Sequence, residues 1–310
     1  MSAAAFELLK AKRPKLAENS YITYRTSLNR LAKVSETFEV GEISKYLRNL
    51  KKPGLARTLL TPLPIIQPRK FRQLFDELNR DAEEVRINQR PSKSQQQNMT
   101  TMKEMKRMMR RMAEDIRTHK LFSRDYFSLS TVERRLVLAY VSFTLLLDVT
   151  MRNDANTLQL AHTTSQTTDT GNWYVHSTGT VVLRKFKTAR AFRNRGIFPL
   201  YIGVKARTRK VLNRFLHSRK LKGKFLFCLT PEKQLSKAQH STILTSHSYR
   251  YLGVRLGSNM LRHLVLSDFE RSNPTLKARK EKMKRMQQLL VETQMSYAWR
   301  GSGDVEEEEI

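Results

Sequence analysis

Arginine, lysine and tyrosine are the side chains with which this chain of 310 residues could do chemistry. The sequence has no Walker-type phosphate loop, no Rossmann glycine fingerprint, no zinc-protease His-Glu helix and no paired-Asp calcium loop. Cys228 is the single cysteine; it excludes an internal disulfide and a cysteine-ligated zinc cluster, and reads as a small buried thiol. What the remaining types can do together is handle a phosphate. A guanidinium is planar and permanently charged, so it grips two oxygens at once in a way lysine cannot reproduce. An ammonium can protonate a departing oxygen. A tyrosine hydroxyl can attack phosphorus, although its ordinary pKa near ~10 means that it needs help at neutral pH.

The charge balance points to the same partner. Lys and Arg number 58 against 28 Asp and Glu, a net charge of +30. Such an excess repels itself in a compact state, and an anionic partner relieves it. A membrane fits poorly. The longest apolar stretch, Leu136 to Val149, is shorter than the ~20 residues that span a bilayer, is interrupted by Ser142 and Thr144, and is bracketed by Arg134, Arg135 and Asp148. Lys10, Lys12 and Arg13 follow Phe6 to Leu9 too closely for a signal peptide. The expectation is an intracellular nucleic-acid-binding protein.

The elements that would hold such residues can be read from periodicity. Tyr21, Tyr24, Leu28 and Leu31 recur at helical spacing, with Ser20 as N-cap. Ile43, Tyr46, Leu47 and Leu50 make a second stripe closed by Pro53 and Gly54, and Phe71, Leu74, Phe75 and Leu78 a third. Arg90 to Asn98 reads as a linker. Met99, Met102, Met105, Met108, Met109, Met112 and Ile116 then line one helical face, read as core packing, while Lys103, Lys106, Arg107, Arg110 and Arg111 decorate the helix and could meet phosphate. Arg117 to Ser128 reads as an interdomain connection. Ser130 and Glu133 form a capping box that opens a buried helix running to about Val149. After Asn156 the pattern changes to short apolar runs, read as a small antiparallel sheet with a turn at Ser177 to Gly179. Helices return at Lys205 to Leu216, Ser246 to Leu256, Asn259 to Phe269 and Leu276 to Val291, with Gly257 at a helix C-terminus. The tail from Gly301 to Ile310, with four consecutive glutamates, reads as disordered.

In this order the motifs resemble the tyrosine recombinase (phage-integrase-like) family, especially the branch carried by eukaryotic DNA viruses and mobile elements. The segment Asp148 to Asp154 looks like the family's first catalytic arginine, Arg152, just after its buried helix. Asn172 to Tyr174 and Leu183 to Ala189 look like its sheet hairpin, with Lys187 before a threonine. Ile197 to Leu200 follows as the strand end. Asn259 to His263 is similar to the His-x-x-Arg box, and Met286 to Leu289 followed by Tyr297 resembles the segment that delivers the nucleophile. Tyr21 to Leu28, Ala56 to Leu60 and Ser92 to Asn98 resemble the helical core-binding domain.

The resemblance implies an α+β fold: an N-terminal arm (1–20), a helical core-binding domain (21–125), a mixed α/β catalytic domain with a small antiparallel sheet (126–300) and an acidic flexible tail (301–310). The two domains would close as a C-shaped clamp on double-stranded DNA. It implies a site-specific recombinase or integrase that works through a 3′-phosphotyrosyl intermediate without metal, ATP or other cofactor. Tyr297 would be the nucleophile, Arg152 and Arg262 the charge clamp, and Lys187 the general acid. Asn259 stands where the family often has histidine, and Gln288 where it has His or Trp. An amide donates a hydrogen bond to phosphate, but it accepts no proton. The family also implies a tetramer on two duplexes. The short segment after Tyr297 suggests a monomer when free, with the glutamates shielding a basic cleft. If the gene is viral, the protein would work in the host nucleus or at the site of viral DNA replication.

Other readings stay open. A recombinase-derived protein that binds DNA without cutting it is one, and a type IB topoisomerase-like relaxing enzyme is another. An RNA-binding protein would explain the charge but not the Arg, Lys, Arg, Tyr series. Taken singly, Arg152 could neutralise a helix C-terminus, Lys187 could be one more basic strand residue, Arg262 could be structural, His263 could pack, and Tyr297 could anchor a terminal helix beside Trp299.

Overall fold

A computed structural model describes residues 2–87, 93–152, 154–288 and 298. The chain divides into two compact units, Met1–Arg90 and Pro91–Ile310. No helix among the described residues is long and apolar enough to cross a membrane.

The first unit is helical: α1 (Ser2–Lys12), α2 (Glu18–Ala32), α3 (Val40–Asn49), α4 (Pro53–Leu60), α5 (Leu63–Ile66) and α6 (Pro68–Ile87). The periodic stripes face inward, so Leu28, Leu31, Ile43, Leu47, Leu60 and Phe71 are buried in one apolar cluster. Two local details differ from the sequence reading. Helix α2 starts behind Ala17, which puts Ser20 inside its first turn; Glu18 occupies the position where a carboxylate meets the positive helix end. Pro53 opens α4 at its first position rather than closing α3, because the missing N–H there has no helical partner to lose. The first twenty residues contribute to this core. Leu9 of α1 is fully buried in the same cluster, and Phe6 meets the Tyr21 ring edge-on at 6.2 Å.

The second unit runs α7 (Lys93–Gln96), α8 (Met102–Thr118), α9 (Thr131–Asp148), β1 (Leu158–Ala161), β2 (Asn172–Val175), β3 (Thr180–Leu183), α10 (Ala189–Asn194), β4 (Leu200–Gly203), α11 (Ala206–Ser218), β5 (Cys228–Thr230), β6 (Lys233–Gln234), α12 (Lys237–Leu252), α13 (Ser258–Arg271) and α14 (Leu276–Arg285). Helix α9 carries the expected capping box, with Ser130 accepting from the Glu133 N–H and Glu133 reaching back to the Ser130 N–H. Ten of its residues are buried, and α8, α11, α12 and α13 pack around it. The methionines of α8 explain why the chain divides near residue 90 rather than at 125. Met105, Met108, Met112 and Ile116 are buried in the core that α9 also fills, so this helix belongs to the second unit. Its N-terminus is a second capping box, Thr101 with Glu104.

The sheet is mixed rather than antiparallel. Strands β2, β3 and β4 pair antiparallel in sequence order, but β1 pairs parallel with β2. The reason is the connection. The ten residues from His162 to Gly171 carry the chain back to the starting end of β1 before β2 begins, so both strands run the same way. The expected turn at Ser177 to Gly179 is present, and Gly179 takes the left-handed φ of +69° there. Leu200 begins β4 instead of ending a strand. Between α12 and α13 Gly257 does not have the expected role. Gly253, at φ +73°, ends α12, and Gly257 is the N-cap of α13. Helix α12 also begins earlier than read, at a capping box of Ser236 and Gln239.

Candidate functional site

In the second unit the loop after α9, the start of α11, the turn before α10 and the end of α14 are bonded together, with α13 between them. The first of these begins at the C-terminal end of α9. Asp148, its last residue, is buried where the helix dipole disfavours a carboxylate. Two partners offset that cost. Its Oδ2 accepts the backbone N–H of Lys205, the N-cap residue of α11, at 2.7 Å, and its Oδ1 accepts Arg285 Nη1 at 2.8 Å. Beyond Asp148 the chain leaves the helix through Val149 and Thr150 to Arg152. Arg152 is half-buried, and its Nη1 is shielded from solvent with no hydrogen-bond partner among the described residues.

Arg262 comes from α13 and is fully buried. Its Nη1 donates to the Thr150 carbonyl at 2.7 Å and its Nη2 to the Met286 carbonyl at 3.0 Å. These are main-chain acceptors just past the ends of α9 and α14, where carbonyls lack helical partners. The guanidinium therefore ties together the segment that carries Arg152 and the segment that leads toward Tyr297. Asn259 lies one turn before Arg262 on the same face of α13 and is exposed. His263 is buried.

Helix α14 stops in a Schellman arrangement. The Gln288 N–H donates to the Met283 carbonyl at 3.0 Å and the Gln287 N–H to the Lys284 carbonyl at 3.1 Å, with Gln287 at φ +52°. A glutamine in the left-handed region costs roughly 1–2 kcal/mol relative to a relaxed backbone, so surrounding contacts must hold it. They are present. Gln287 and Gln288 are buried, Arg262 holds the Met286 carbonyl, and Thr188 Oγ1 donates to the Gln287 carbonyl at 2.8 Å. Arg285 adds a bond to the Gly203 carbonyl at 3.0 Å besides its ion pair with Asp148.

Thr188 links this helix end to Lys187, which is exposed in the turn between β3 and α10. The start of that turn is held by Asn172. Its amide donates to Thr157 Oγ1 at 3.0 Å and the Lys185 carbonyl at 2.8 Å, and its Oδ1 accepts the N–H groups of Arg184 at 3.0 Å and Lys185 at 2.9 Å. All of its amide hydrogen-bonding capacity is used. Lys187 thus projects from a braced loop.

The structure brings together the Arg152 segment, Arg262, Gln288 and the loop of Lys187, and it ties in Asn259 only through α13. Tyr297 and the glutamate tail lie outside the described residues. Lys103, Lys106, Arg107, Arg110 and Arg111 are exposed on α8 opposite its methionines, as the periodicity implies. Arg111 also reaches the Tyr251 carbonyl at 3.4 Å.

Sequence reasoning missed Lys282 on α14. It is half-buried, and its Nζ lies 3.4 Å from Thr150 Oγ1, the outer limit of a hydrogen bond. Removal from water, followed by the nearby charges of Lys205 and Arg285, pushes its pKa down to about 8 against the opposing pull of Asp148; Arg262 adds to the depression. Its only mark in the sequence is membership of the basic run from Lys277 to Arg285, where nothing separates it from its solvated neighbours.

No family model matches the chain, and no curated protein matches it. Solved structures do, among them the crystal structure of XerA recombinase, at 10% identity and a TM-score of 0.44, covering 97% of this chain and 95% of that one. At that level the likeness assigns neither activity nor residues.

Proposed function

We propose that this protein breaks and rejoins DNA strands with Tyr297 as nucleophile. The Tyr297 oxygen releases its proton to solvent and forms a bond to the scissile phosphorus, the bond from phosphorus to the 5′-oxygen breaks, and Lys187 protonates that oxygen. The 3′-phosphotyrosyl bond conserves the energy needed to rejoin the strand, so ATP has no part in the reaction. Arg152 and Arg262 would neutralise the charge that grows on the non-bridging oxygens in the transition state. Asn259 and Gln288 would donate amide hydrogen bonds to the same phosphate. The exposed cations of α8 would meet the backbone of the duplex, and protomers that are single in solution would assemble as a tetramer on paired sites.

The observation that carries this reading is the pair of bonds from Arg262 to the Thr150 and Met286 carbonyls. They join the Arg152 segment to the segment that precedes Tyr297, and Thr188 beside Lys187 reaches the same helix end. These bonds tie the loop after α9, helix α13, the turn before α10 and the end of α14 to one another, which supports the reading. The test is a suicide DNA substrate resolved on a denaturing gel. The native chain should become covalently attached, and Tyr297→Phe should not, while still binding the duplex. Attachment by Tyr297→Phe would overturn the assignment.

One observation favours a second reading, a protein that binds DNA without cutting it. Arg262 is fully buried and commits two of its five N–H donors to carbonyls, as a purely structural arginine would. The same gel separates the two, because a binding protein gives no adduct with any variant.

A further inference from the structure

The described cations around Thr150 outnumber the carboxylates. Lys205 at the start of α11, Arg262 on α13 and Arg285 on α14 bear on Lys282, whose Nζ lies 3.4 Å from Thr150 Oγ1, and among the described residues Asp148 at the end of α9 is the carboxylate that opposes them. Asp148 is committed to Arg285 and to a backbone N–H. On its remaining side Lys282 meets the Phe269 ring, 5.9 Å from its centroid, which offers a weak attraction and no counter-charge. Arg152, two residues along the same loop from Thr150, brings another guanidinium whose Nη1 is buried without a partner among the described residues. Like charges removed from water repel strongly unless an anion joins them.

We propose that Lys282 is a third cation of the phosphate site formed by Arg152 and Arg262, binding the phosphoryl group from the α14 side next to Thr150. The inference rests on the reading of this site as one that holds a DNA phosphate. It differs from the role given to Lys187, which projects from the sheet side and is exposed. A lysine already crowded by Lys205, Arg285 and Arg262 is easily deprotonated, and a bound anion restores its charge. Anion affinity and the protonation of Lys282 are therefore linked. A site that binds about tenfold tighter when Lys282 is charged must raise the pKa of that lysine by about one unit on binding.

Sulfate is a suitable probe, since its own charge does not change between mildly acidic and alkaline pH. Its affinity for the full chain is measured by calorimetry from below to above the Lys282 midpoint near pH 8. In the native chain it should fall by about tenfold across that midpoint. Lys282→Met should bind weakly at every pH, and Lys282→Arg, which keeps its charge, should bind tightly at every pH. The arginine variant also guards against a fold damaged by the methionine. A native affinity that does not change with pH and equals that of Lys282→Met overturns the proposal. Capture on suicide DNA is measured beside it. Normal sulfate linkage without capture leaves the anion site standing and removes strand breakage. Capture with no sulfate linkage does the reverse.

Discussion

The two units bury different things. The buried polar residues described in the first are Ser27 and Ser35, and each hydroxyl bonds to a backbone group four residues away. The second buries Asp148, Asn156, Asn172, Arg219, His240, His247, Arg262, His263, Gln287 and Gln288 among others. Its bonds cross the chain: Arg262 to Thr150 over 112 residues, His240 to Ser142 over 98, Asn156 to Leu235 over 79. A buried polar group is costly unless its partner is in place, so an apolar core suffices where only shape is required. The second unit retains that risk at several places, Asp148 and Arg262 among them. The contrast separates a scaffold from a site before any activity is assigned.

The strongest blow to that contrast would be Arg262→Ala. It leaves the Thr150 and Met286 carbonyls without their donor, at about 1–3 kcal/mol each, and should abolish covalent capture on suicide DNA. Arg262→Lys should not restore capture, because an ammonium cannot span both carbonyls. Capture at native rates by either variant would place the chemistry elsewhere. Phe71→Ala probes the opposite case, since Phe71 is fully buried in the apolar cluster of the first unit. It should cost about 3–5 kcal/mol, read by denaturant unfolding. Hydrogen exchange should show the loss of protection in the first unit and leave the α9 amides unchanged; equal loss in both would erase the distinction.

A smaller effect is expected from pH. His240 is buried in a stack with Phe227 and bonded to Ser142 Oγ at 3.0 Å, and burial pushes its pKa down to about 4. Its folded pKa lies below the unfolded value of about 6.5, so the unfolded chain binds the extra proton first. The second unit should thus be fully stabilised by this group above pH 6.5 and lose that contribution as pH falls toward 4, by roughly 3 kcal/mol at the limit. His240→Gln should flatten the curve of melting temperature against pH over that window. A native curve without slope there would contradict the burial of a neutral imidazole. The smallest change is Ser130→Ala, which removes one half of the α9 capping box and should cost about 1 kcal/mol. A change within error would mean that packing alone sets the start of that helix.

What could be read in the sequence follows the same division. The stripes of α2, α3, α6 and α8 were legible because an apolar face repeats with the helix period and needs no distant partner. The capping box at Ser130 was legible because both its residues lie within one turn. Arg152, Lys187 and Arg262 were marked by order and spacing. Thr150, Asn172, Thr188 and Arg285 were not marked as parts of a site, since their roles arise only when α9, β3 and α14 come together. The parallel pairing of β1 was hidden for a similar reason: alternation reveals a strand but not the direction of its neighbour. Gly257, expected at a helix C-terminus and found at the start of α13, shows a finer limit, because Gly253 and Gly257 both stand between two helical stripes and only backbone geometry tells which one ends α12.

The inward face of α8 also governs how the protein meets oxidants. Met105, Met108 and Met112 are fully buried, whereas Met99, just ahead of the helix, is 41% exposed. Peroxide can therefore reach Met99 in the native state and the three inner thioethers only when α8 lifts away from α9. Sulfoxide formation at Met108 would put a polar, chiral group into the apolar core it shares with α9, and the helix would reseat poorly. Oxidative damage would begin harmlessly at the surface and become irreversible in the core after the first opening of the second unit, so Met108 sulfoxide would record how often that opening occurs.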